Sequence, residues 1–569
     1  MPRKLPNGIS NYEKLVKEDK IYVDKTMYIE KLEEQSDSTV MFLRPRKFGK
    51  TLFTSTLECY YDIAKKEEFE TLFKNTYIGK NPTELKNSYH ILRFNFSGID
   101  TTTLESAIEG FKNKVATSIE YFIHRYKIDF YINYKQTAED LLNSLFTAFA
   151  LQKSGEKIYV IIDEYDHFAN ELLGFKTEEF KNLVAKNGKI RKWYEILKQG
   201  TETVVDRIFI TGVAPITLDS TTSGFNIARD LTKNIGFNDM LGFSTEDVKY
   251  LMRELEITEQ TQKKLLPIIK ENYDGYIFSD VIKENYEDYR MYNSNMTLFF
   301  LSNYMELGEI PESMVDINIM SDYGKIEGFM NICKNMNKIE ILEKAVSGEL
   351  IESKLTEKFN AEIEFGEKEL VSLLYYLGYL TIKEKELGTL KFGVPNDVIK
   401  KVYSEYFLEY IKREAGIKEE IKTGEMTKEI LLEGRIDKAI EILGQYLTSL
   451  SNRDYSRFDE KYIKIIFYSI CKMLEAVHVK SELEIEGKYA DILLLPREKI
   501  EERYGVLIEF KYIKKEDYEK DNNLLKEKQE EAREQLEKYR ETEEIKLIPN
   551  IRCYSVVTIK DEIFVQEII

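Results

Sequence analysis

Short apolar runs alternate with longer amphipathic stretches over the first 240 residues of the chain. Four of the runs have the length and the branched and aromatic residues of strands, and they cover 40–43, 90–96, 157–162 and 207–213. Nearly continuous apolar residues are typical of strands that are buried on both faces of a parallel sheet. Because helical stretches lie between the runs, the pattern predicts an α/β domain over 1–240.

The pattern is mainly helical from about 241 to 450. Ser244 and Asp247 have the spacing of a capping box, which predicts a helix start. Two short runs, at 378–382 and 389–394, predict a small hairpin. We interpret 241–400 as a helical lid with a winged-helix-like region and 401–451 as a helical connector.

The last part of the chain, 452–569, predicts a complete small domain of αβββαβ order with one more strand at its end. Its two helices are expected at 461–474 and 523–540, and its strands at 476–486, 490–495, 505–510, 552–559 and 562–565.

Composition and charge limit the function classes. The chain has 569 residues, of which 43% are hydrophobic and 32% charged, so we expect several ordered domains. Four scattered cysteines and four scattered histidines argue against a zinc ribbon, a disulfide framework and a histidine-rich metal site. No apolar run approaches the roughly 20 residues of a membrane span and no signal-peptide core is present, so we expect a cytoplasmic protein without a membrane partner. The net charge of −18 excludes a general nucleic-acid-binding surface, and DNA or RNA would need a local basic groove or metal ions.

A phosphate-binding loop is predicted between the first strand and its helix. Residues 44–51 end as the G-x-x-x-x-G-K-[ST] motif does, with Gly49, Lys50 and Thr51, but Arg44 stands in place of the first glycine. The backbone N–H groups of such a loop face phosphates at a helix N-terminus. Lys50 is expected to reach the β- and γ-phosphates and Thr51 to ligate Mg²⁺.

The acidic part of the nucleotide site is predicted at the end of the third strand. Asp163 is expected to hold Mg²⁺ directly or through water, and Glu164 to orient the attacking water. Thr211, at the tip of the next strand, is expected to sense the γ-phosphate. Arg191 and Arg229 are candidates for an arginine finger, with an ordinary surface arginine as the alternative for each. The residues assigned to cofactor binding are Arg44, Arg46, Phe48, Gly49, Lys50, Thr51, Asp163 and Thr211.

A second site is predicted in the C-terminal domain, where two neighbouring apolar strands carry acids. Asp491 opens one strand, and Glu509 lies near the end of the next, two residues before Lys511. The strand period of two places Glu509 and Lys511 on one face. The two carboxylates are expected to hold Mg²⁺ or Mn²⁺, which lowers the pKa of its bound water. Lys511 is expected to position or deprotonate that water.

Other residues are candidates to complete this second site. A further acid often comes from upstream, and both Glu475 and Glu484 remain open. Gln535 and Tyr539 share one face of the following helix and are candidates to support the site or contact a phosphate. The alternative for this pair is an ordinary amphipathic helix, and for the acids it is a salt-bridged strand pair. Carboxylates flanked by Leu, Ile and Phe are costly to bury without partners, which favours the metal.

Together these motifs resemble a bacterial family of AAA-ATPase-like proteins with a C-terminal PD-(D/E)XK nuclease-superfamily domain. The resemblance covers nearly the whole chain, and the family's phosphate loop also has arginine at the position of Arg44. One departure is Lys488, since the family usually has arginine there and lysine lacks the bidentate fork. The segments that carry the resemblance are 22–26, 44–51, 161–166, 209–213, 273–276, 374–379 and 508–511, with Gln535 and Tyr539.

The resemblance implies a P-loop ATPase of the AAA/STAND-like kind, a helical lid and a restriction-endonuclease-like domain. It implies ATP and Mg²⁺ as cofactors, and a nuclease controlled by ATP that acts on DNA in preference to RNA, in defence against phage or mobile elements. The alternatives are a nucleotide-gated binding or signalling protein with a non-cleaving nuclease fold, and a housekeeping ATPase with a structural tail. A homo-oligomer stays open, because AAA-like proteins often form rings whereas STAND-like ones can rest as monomers.

Overall fold

The computed structural model describes residues 3–167, 189–215, 227–281, 286–315, 326–330, 338–357, 359, 365–417, 421–450, 459–485, 488–497 and 502–568, without the side chains of 189, 329, 482–485, 488 and 489. The chain folds into two compact units. The first comprises Met1–Ser302, Lys325–Met336 and Glu352–Asn396, and the second comprises Asn303–Gly324, Asn337–Ile351 and Asp397–Ile569.

A parallel sheet forms the centre of the first unit. Its strands are β1 (Thr39–Leu43), β2 (His90–Asn95), β3 (Ile158–Asp163), β4 (Val205–Gly212) and β5 (Arg229–Asp230), in the order β2-β3-β4-β1-β5. Burial of β1 and β3 is complete along their lengths. The four predicted strands and the P-loop-like α/β core are therefore confirmed, whereas the two-residue edge strand β5 carried no apolar signal.

Helices surround this sheet and continue along the chain. They are α1 (Tyr12–Lys17), α2 (Met27–Glu33), α3 (Lys50–Tyr61), α4 (Phe69–Phe73), α5 (Tyr77–Lys80), α6 (Leu104–Tyr126), α7 (Ala138–Gln152), α8 (Lys189–Gly200), α9 (Thr245–Glu254), α10 (Glu259–Tyr273), α11 (Ser294–Leu307), α12 (Ile326–Met330), α13 (Lys338–Ser347) and α14 (Glu367–Leu377). The capping box of α9 is confirmed, because Ser244 and Asp247 each accept the other's backbone N–H.

The predicted hairpin is also present. The strands β7 (Thr381–Glu386) and β8 (Thr389–Gly393) pair antiparallel, and β6 (Ile351–Ser353) pairs with β8. Helix α14 ends immediately before the hairpin at Gly378, whose left-handed backbone (φ +85°) favours glycine.

The second unit combines helices with a mixed five-stranded sheet. The helices are α15 (Asp397–Ala415), α16 (Thr423–Lys428), a π-turn at Glu429–Glu433, α17 (Asp437–Ser449), α18 (Glu460–Lys472), α19 (Lys515–Lys520), α20 (Leu524–Arg540) and α21 (Glu543–Lys546). The strands are β9 (Val477–Ile485), β10 (Lys488–Pro496), β11 (Gly505–Ile513), β12 (Ile551–Ile559) and β13 (Glu562–Ile568), in sequential order across the sheet.

Two helices of this unit position its acidic residues. Helix α18 packs on β9, β10 and β11, and its Phe467 contacts Phe510 with 5.2 Å between ring centroids. Helix α20 packs on β11 and β12, where Leu536 and Tyr539 join a core with Leu507. The strands β11 and β12 are parallel, whereas the other neighbours are antiparallel. The αβββαβ order is confirmed.

The ends of β3 and β4 hold each other through buried polar contacts. The Asp166 carboxylate accepts the backbone N–H of Val213 at 3.0 Å and of Ala214 at 2.7 Å. The Tyr165 hydroxyl donates to the Ala214 carbonyl at 2.7 Å. A Cβ on Gly212 would lie 2.1 Å from an Asp166 carboxylate oxygen and 2.5 Å from the Tyr165 ring. Glycine is therefore required where the two sequence motifs meet.

Gly212→Ala is expected to lower the free energy of unfolding of the first unit by about 1–3 kcal/mol, the usual effect of overpacking. Trp193 is the single tryptophan of the chain and is fully buried in this unit, so its fluorescence during urea unfolding reports the change. Gly236→Ala is the matched control, since its nearest contact is a side-chain oxygen at 3.3 Å. Equal stability losses in the two variants would contradict this explanation.

Candidate functional site

The loop between β1 and α3 closes around the amine of Lys50. Gly49 has a left-handed backbone with φ +91° and precedes the first residue of α3. The Lys50 ammonium donates to the carbonyl oxygens of Arg44 at 3.0 Å and Pro45 at 2.9 Å. Burial lowers the pKa of Lys50, although Glu164 opposes that effect. The loop therefore holds a lysine at a helix N-terminus, the arrangement that binds phosphate.

Asp163 ends β3 beside this loop and is fully buried. Its Oδ2 lies 3.4 Å from the Thr54 hydroxyl and 3.5 Å from a guanidinium nitrogen of Arg93. Its Oδ1 is buried and has no hydrogen-bond partner among the described residues. Burial raises the pKa of Asp163, Glu164 adds to that effect, and Thr51 opposes it. A buried carboxylate with an oxygen left over fits a cation ligand.

Glu164 is held ionised beside Lys50. Its backbone has φ +55°, and its carboxylate lies 3.3 Å from Nδ1 of His167. Burial favours its neutral form, but the His167 hydrogen bond and the Lys50 ammonium outweigh burial and lower the pKa of Glu164 to about 2. A carboxylate with so low a pKa is a weak base, so it suits the orientation of a water better than its deprotonation.

In the second unit, the register of β10 and β11 brings the two predicted acids together. Ile492 pairs with Ile508, so Asp491 and Glu509 occupy the next opposed positions. Asp491 Oδ2 accepts the Phe510 N–H at 2.7 Å, and Glu509 Oε1 accepts the Lys511 ammonium at 2.9 Å. All three side chains are buried, with Asp491 8%, Glu509 3% and Lys511 7% exposed.

The environment of Glu509 favours its neutral form. Burial, and then the Asp491 charge, raise the pKa of Glu509 to about 7, while Lys511 opposes them. Burial also raises the pKa of Asp491, with Lys464 opposing. Glu509 Oε2 is buried, and nothing in the described part of the chain donates a hydrogen bond to it. The pair therefore lacks positive charge, which a divalent cation would supply.

The acids are not sealed inside the domain. A cavity of about 370 Å³ adjoins Asp491. Its walls include Lys464 and Tyr468 from α18 and Ser481 from β9. Asp491 is therefore within reach of a ligand that enters from the side of α18.

Family comparisons agree with these two sites. Residues 6–222 match the family described as predicted AAA-ATPase, and residues 458–568 match the PD-(D/E)XK nuclease superfamily. The chain combines an AAA-ATPase-like domain with a PD-(D/E)XK nuclease-superfamily domain. The resemblance inferred from the motifs and the predicted fold class are thus confirmed.

Similarity to individual proteins is more limited. The chain is 27% identical over 253 residues to the "Uncharacterized protein in vnfD 5'region" of Azotobacter chroococcum mcd 1, a match that covers 43% of this chain and 44% of that protein. A chain in the structure of Drosophila ORC bound to GC-rich DNA and Cdc6 is 12% identical, with 81% of this chain and 70% of that chain covered. Its TM-score is 0.22, which supports no argument about fold or function.

Arg44 of the AAA-ATPase-like domain does not face a ligand, contrary to the prediction. Its guanidinium is 1% exposed and lies between the rings of Phe42 and Phe278, 4.1 and 4.0 Å from their centroids. It donates to four backbone carbonyls, those of Leu43, Thr232, Phe237 and Asn238. Arginine replaces the first glycine of the motif here because it ties the end of β1 to 232–238.

Thr211 is a second correction in this domain. Its hydroxyl is buried and donates to the Phe42 carbonyl at 2.8 Å, so it joins β4 to β1 and does not sense a γ-phosphate. Phe48 is also buried, edge-on to Tyr276 and Phe278 at 5.0 and 5.4 Å between centroids, so it anchors the loop. Arg46 is partly exposed, and its charge helps to lower the pKa of Glu164, which keeps it at the site.

The arginine-finger candidates lie in ordinary ion pairs. Arg191 pairs with Glu195 at 3.1 Å, and Arg229 pairs with Asp37 at 3.0 Å. Arg93 of β2, which the sequence reasoning missed, reaches Asp163. A charged residue inside an otherwise apolar strand was the available signal.

In the nuclease-superfamily domain, the two upstream acids have different outcomes. Glu475 lies beyond the end of α18, is exposed and pairs with Lys401 at 2.5 Å, so its prediction as a site residue is wrong. The backbone of Glu484 pairs with Tyr489, but its side chain lies outside the described residues.

Gln535 and Tyr539 of α20 face the site as predicted. Gln535 Oε1 is buried without a hydrogen-bond partner in the described ranges. Tyr539 packs in the core, and burial, and then Glu509, raise its pKa to about 12.

Two residues of α18 were missed by sequence reasoning. The Lys464 ammonium lies 2.5 Å from Asp491 Oδ1 and 2.9 Å from Glu460 Oε1. Glu460 and Lys464 are four apart and therefore share a helix face. That spacing was visible in the sequence, but their proximity to Asp491 depends on how α18 packs on β10.

Metal-free protein is expected to lose stability as pH rises from about 4.5 to about 7, the interval between the ordinary and the raised pKa of Glu509. In this interval the folded state keeps the Glu509 proton that the unfolded state releases. Urea unfolding in a chelator should therefore show an advantage of Glu509→Gln over wild type that grows with pH. Glu531→Gln, at a carboxylate that is 45% exposed, is the control. An advantage independent of pH would contradict the assignment.

Proposed function

We propose that this chain binds ATP at the 44–51 loop and cleaves DNA phosphodiesters with divalent metal at Asp491 and Glu509, ATP binding controlling the cleavage. One observation carries the nuclease part. Glu509 has a buried oxygen that no described group satisfies, beside a second buried carboxylate and the Lys511 ammonium. A salt-bridged strand pair would have no need for that surplus of acceptors.

The residues present fit Mg²⁺ or Mn²⁺. Within the described ranges, no group of three His, Cys, Asp or Glu side chains has metal-binding geometry. Mg²⁺, however, is commonly bound through one or two carboxylates and keeps several waters. Asp491 and Glu509 would hold the ion, and the ion would supply a water of lowered pKa and neutralise charge on the phosphate.

Lys511 is proposed to position the attacking water. Its ammonium is bonded to Glu509 Oε1, so it lies at the carboxylate that would bind the metal. Cation binding at Glu509 stabilises the ionised carboxylate and opposes the pKa rise that burial causes. Gln535, through its amide, and Tyr539, through its hydroxyl, are proposed to support the ligand set from α20.

In the ATPase part, Lys50 is proposed to bind the β- and γ-phosphates, and Asp163 with Thr51 to hold Mg²⁺. The Lys50 amine would exchange the carbonyl oxygens of its own loop for phosphate oxygens. Asp163 Oδ1, which lacks a donor within the described chain, would then face the cation. Glu164 is proposed to orient the hydrolytic water, and Arg46 to contact phosphate.

We expect Asp491→Asn and Lys511→Ala to reduce cleavage by roughly 100-fold or more, as losses of this kind of group usually do. The assay uses plasmid, single-stranded DNA and RNA with Mg²⁺ or Mn²⁺ and ATP. Lys514→Ala is the matched control, because Lys514 is an exposed lysine just after β11. Thermal unfolding of each variant excludes a folding defect. Wild-type protein that binds Mn²⁺ but leaves all three substrates intact would favour the non-cleaving alternative.

The two basic residues of the phosphate loop are expected to behave differently. Lys50→Ala should weaken ATP binding by about tenfold or more, since it removes the charge that faces the phosphates. Arg44→Ala should instead lower the free energy of unfolding by roughly 2 kcal/mol or more, because buried carbonyls lose their donors. Calorimetric ATP titration and Trp193-monitored unfolding measure the two effects. A fully stable Arg44→Ala protein with the affinity loss of Lys50→Ala would return Arg44 to the ligand site.

A further inference from the structure

Lys464 lies where its charge opposes that of a metal ion. Its ammonium bridges Asp491 Oδ1 at 2.5 Å and Glu460 Oε1 at 2.9 Å, and its side chain is only 26% exposed. The other oxygen of Asp491 accepts the Phe510 N–H. Lys464 therefore occupies the carboxylate oxygen that is not already bonded to the backbone.

The contact network around Asp491 is already close to neutral without a metal. Of the charged groups described there, the carboxylates are Glu460, Asp491 and Glu509, and the ammonium groups are Lys464 and Lys511. A divalent ion would leave an excess of positive charge if both ammonium groups stayed. Two cations close to one carboxylate in a partly buried site repel each other strongly.

An alternative place for the Lys464 ammonium exists within the same unit. Glu460 is 35% exposed, and with Lys464 it lines the cavity of about 370 Å³. By turning toward this cavity, Lys464 can keep Glu460 as its partner while it leaves Asp491. The cost of withdrawing the charge from the carboxylate is thereby limited, because the ammonium does not become unpaired.

We propose that Lys464 is a resident cation that competes with the divalent metal for Asp491 and sets the metal concentration at which the site loads. This inference rests on the proposed metal-dependent function. The ammonium stabilises the buried carboxylate when metal is absent, and metal binding displaces it toward Glu460 and the cavity. The site then exchanges one cation for another, so its metal affinity is lower than its carboxylates alone would give.

Mn²⁺ titration of the full-length chain by calorimetry, without nucleic acid, tests the proposal. Lys464→Gln should bind Mn²⁺ more tightly than wild type, by about tenfold or more, since a like charge has been removed from contact with the site. Lys464→Met should give the same result if the glutamine variant folds poorly, which thermal unfolding detects. Adding Asp491→Asn to Lys464→Gln should abolish the binding.

Lys461→Gln is the matched control. Lys461 lies on the same helix and lines the same cavity, but its ammonium pairs with Glu349. Its removal changes the net charge equally, and we expect an affinity within about twofold of wild type because distant exposed charges are screened. An equal gain in the Lys461 and Lys464 variants would show a general charge effect and overturn the proposal.

The remaining outcomes separate this inference from the proposed function. Equal Mn²⁺ affinity in wild type and Lys464→Gln, or weaker binding in Lys464→Gln, overturns the competition but leaves the metal site in place. Binding that appears only when Lys464 is replaced supports complete exclusion of the ion by the ammonium. Failure of every variant to bind Mn²⁺ removes the metal site, and the competition with it.

Discussion

Burial of carboxylates at the ends of strands is the constraint on which both units depend. A charged carboxylate inside a protein needs hydrogen bonds, an opposite charge or a proton. Asp166 is satisfied by backbone N–H groups and holds two strand ends together. Asp163 and Glu509 are not fully satisfied by the described residues, and burial raises the pKa of both. The difference separates a structural acid from one that is suited to bind a cation.

Much of the fold follows from hydrophobic periodicity, because the strands that matter are buried along their whole length. The apolar runs at 158–162 and 505–510 leave little alternative to a strand, and the acids that follow or interrupt them are therefore placed at known points. The strand period also gives the common face of Glu509 and Lys511. The edge strand β5 escaped prediction because two exposed residues, Arg229 and Asp230, carry no periodic signal.

Side-chain direction was the part that the sequence could not provide. The motif places Arg44 beside a phosphate-binding loop, but its guanidinium turns to carbonyls of 232–238 and to the ring of Phe278. Those partners lie 188 residues or more away along the chain. Lys464 is a similar case, since its contact with Asp491 requires α18 to pack on β10. Local motifs place the backbone of a residue, whereas tertiary packing decides what its side chain reaches.

Each candidate site contains an internal ammonium group where its ligand would supply or receive charge. Lys50 donates to the carbonyls of its own loop, and Lys464 bridges Asp491 and Glu460. In both places the lysine satisfies oxygens that would otherwise be left unpaired in the interior. Ligand binding must then exchange these contacts for new ones, so the observed affinity is a difference between two sets of interactions. A site built in this way is stable when empty because the same lysine that stabilises the empty state makes its occupation less favourable.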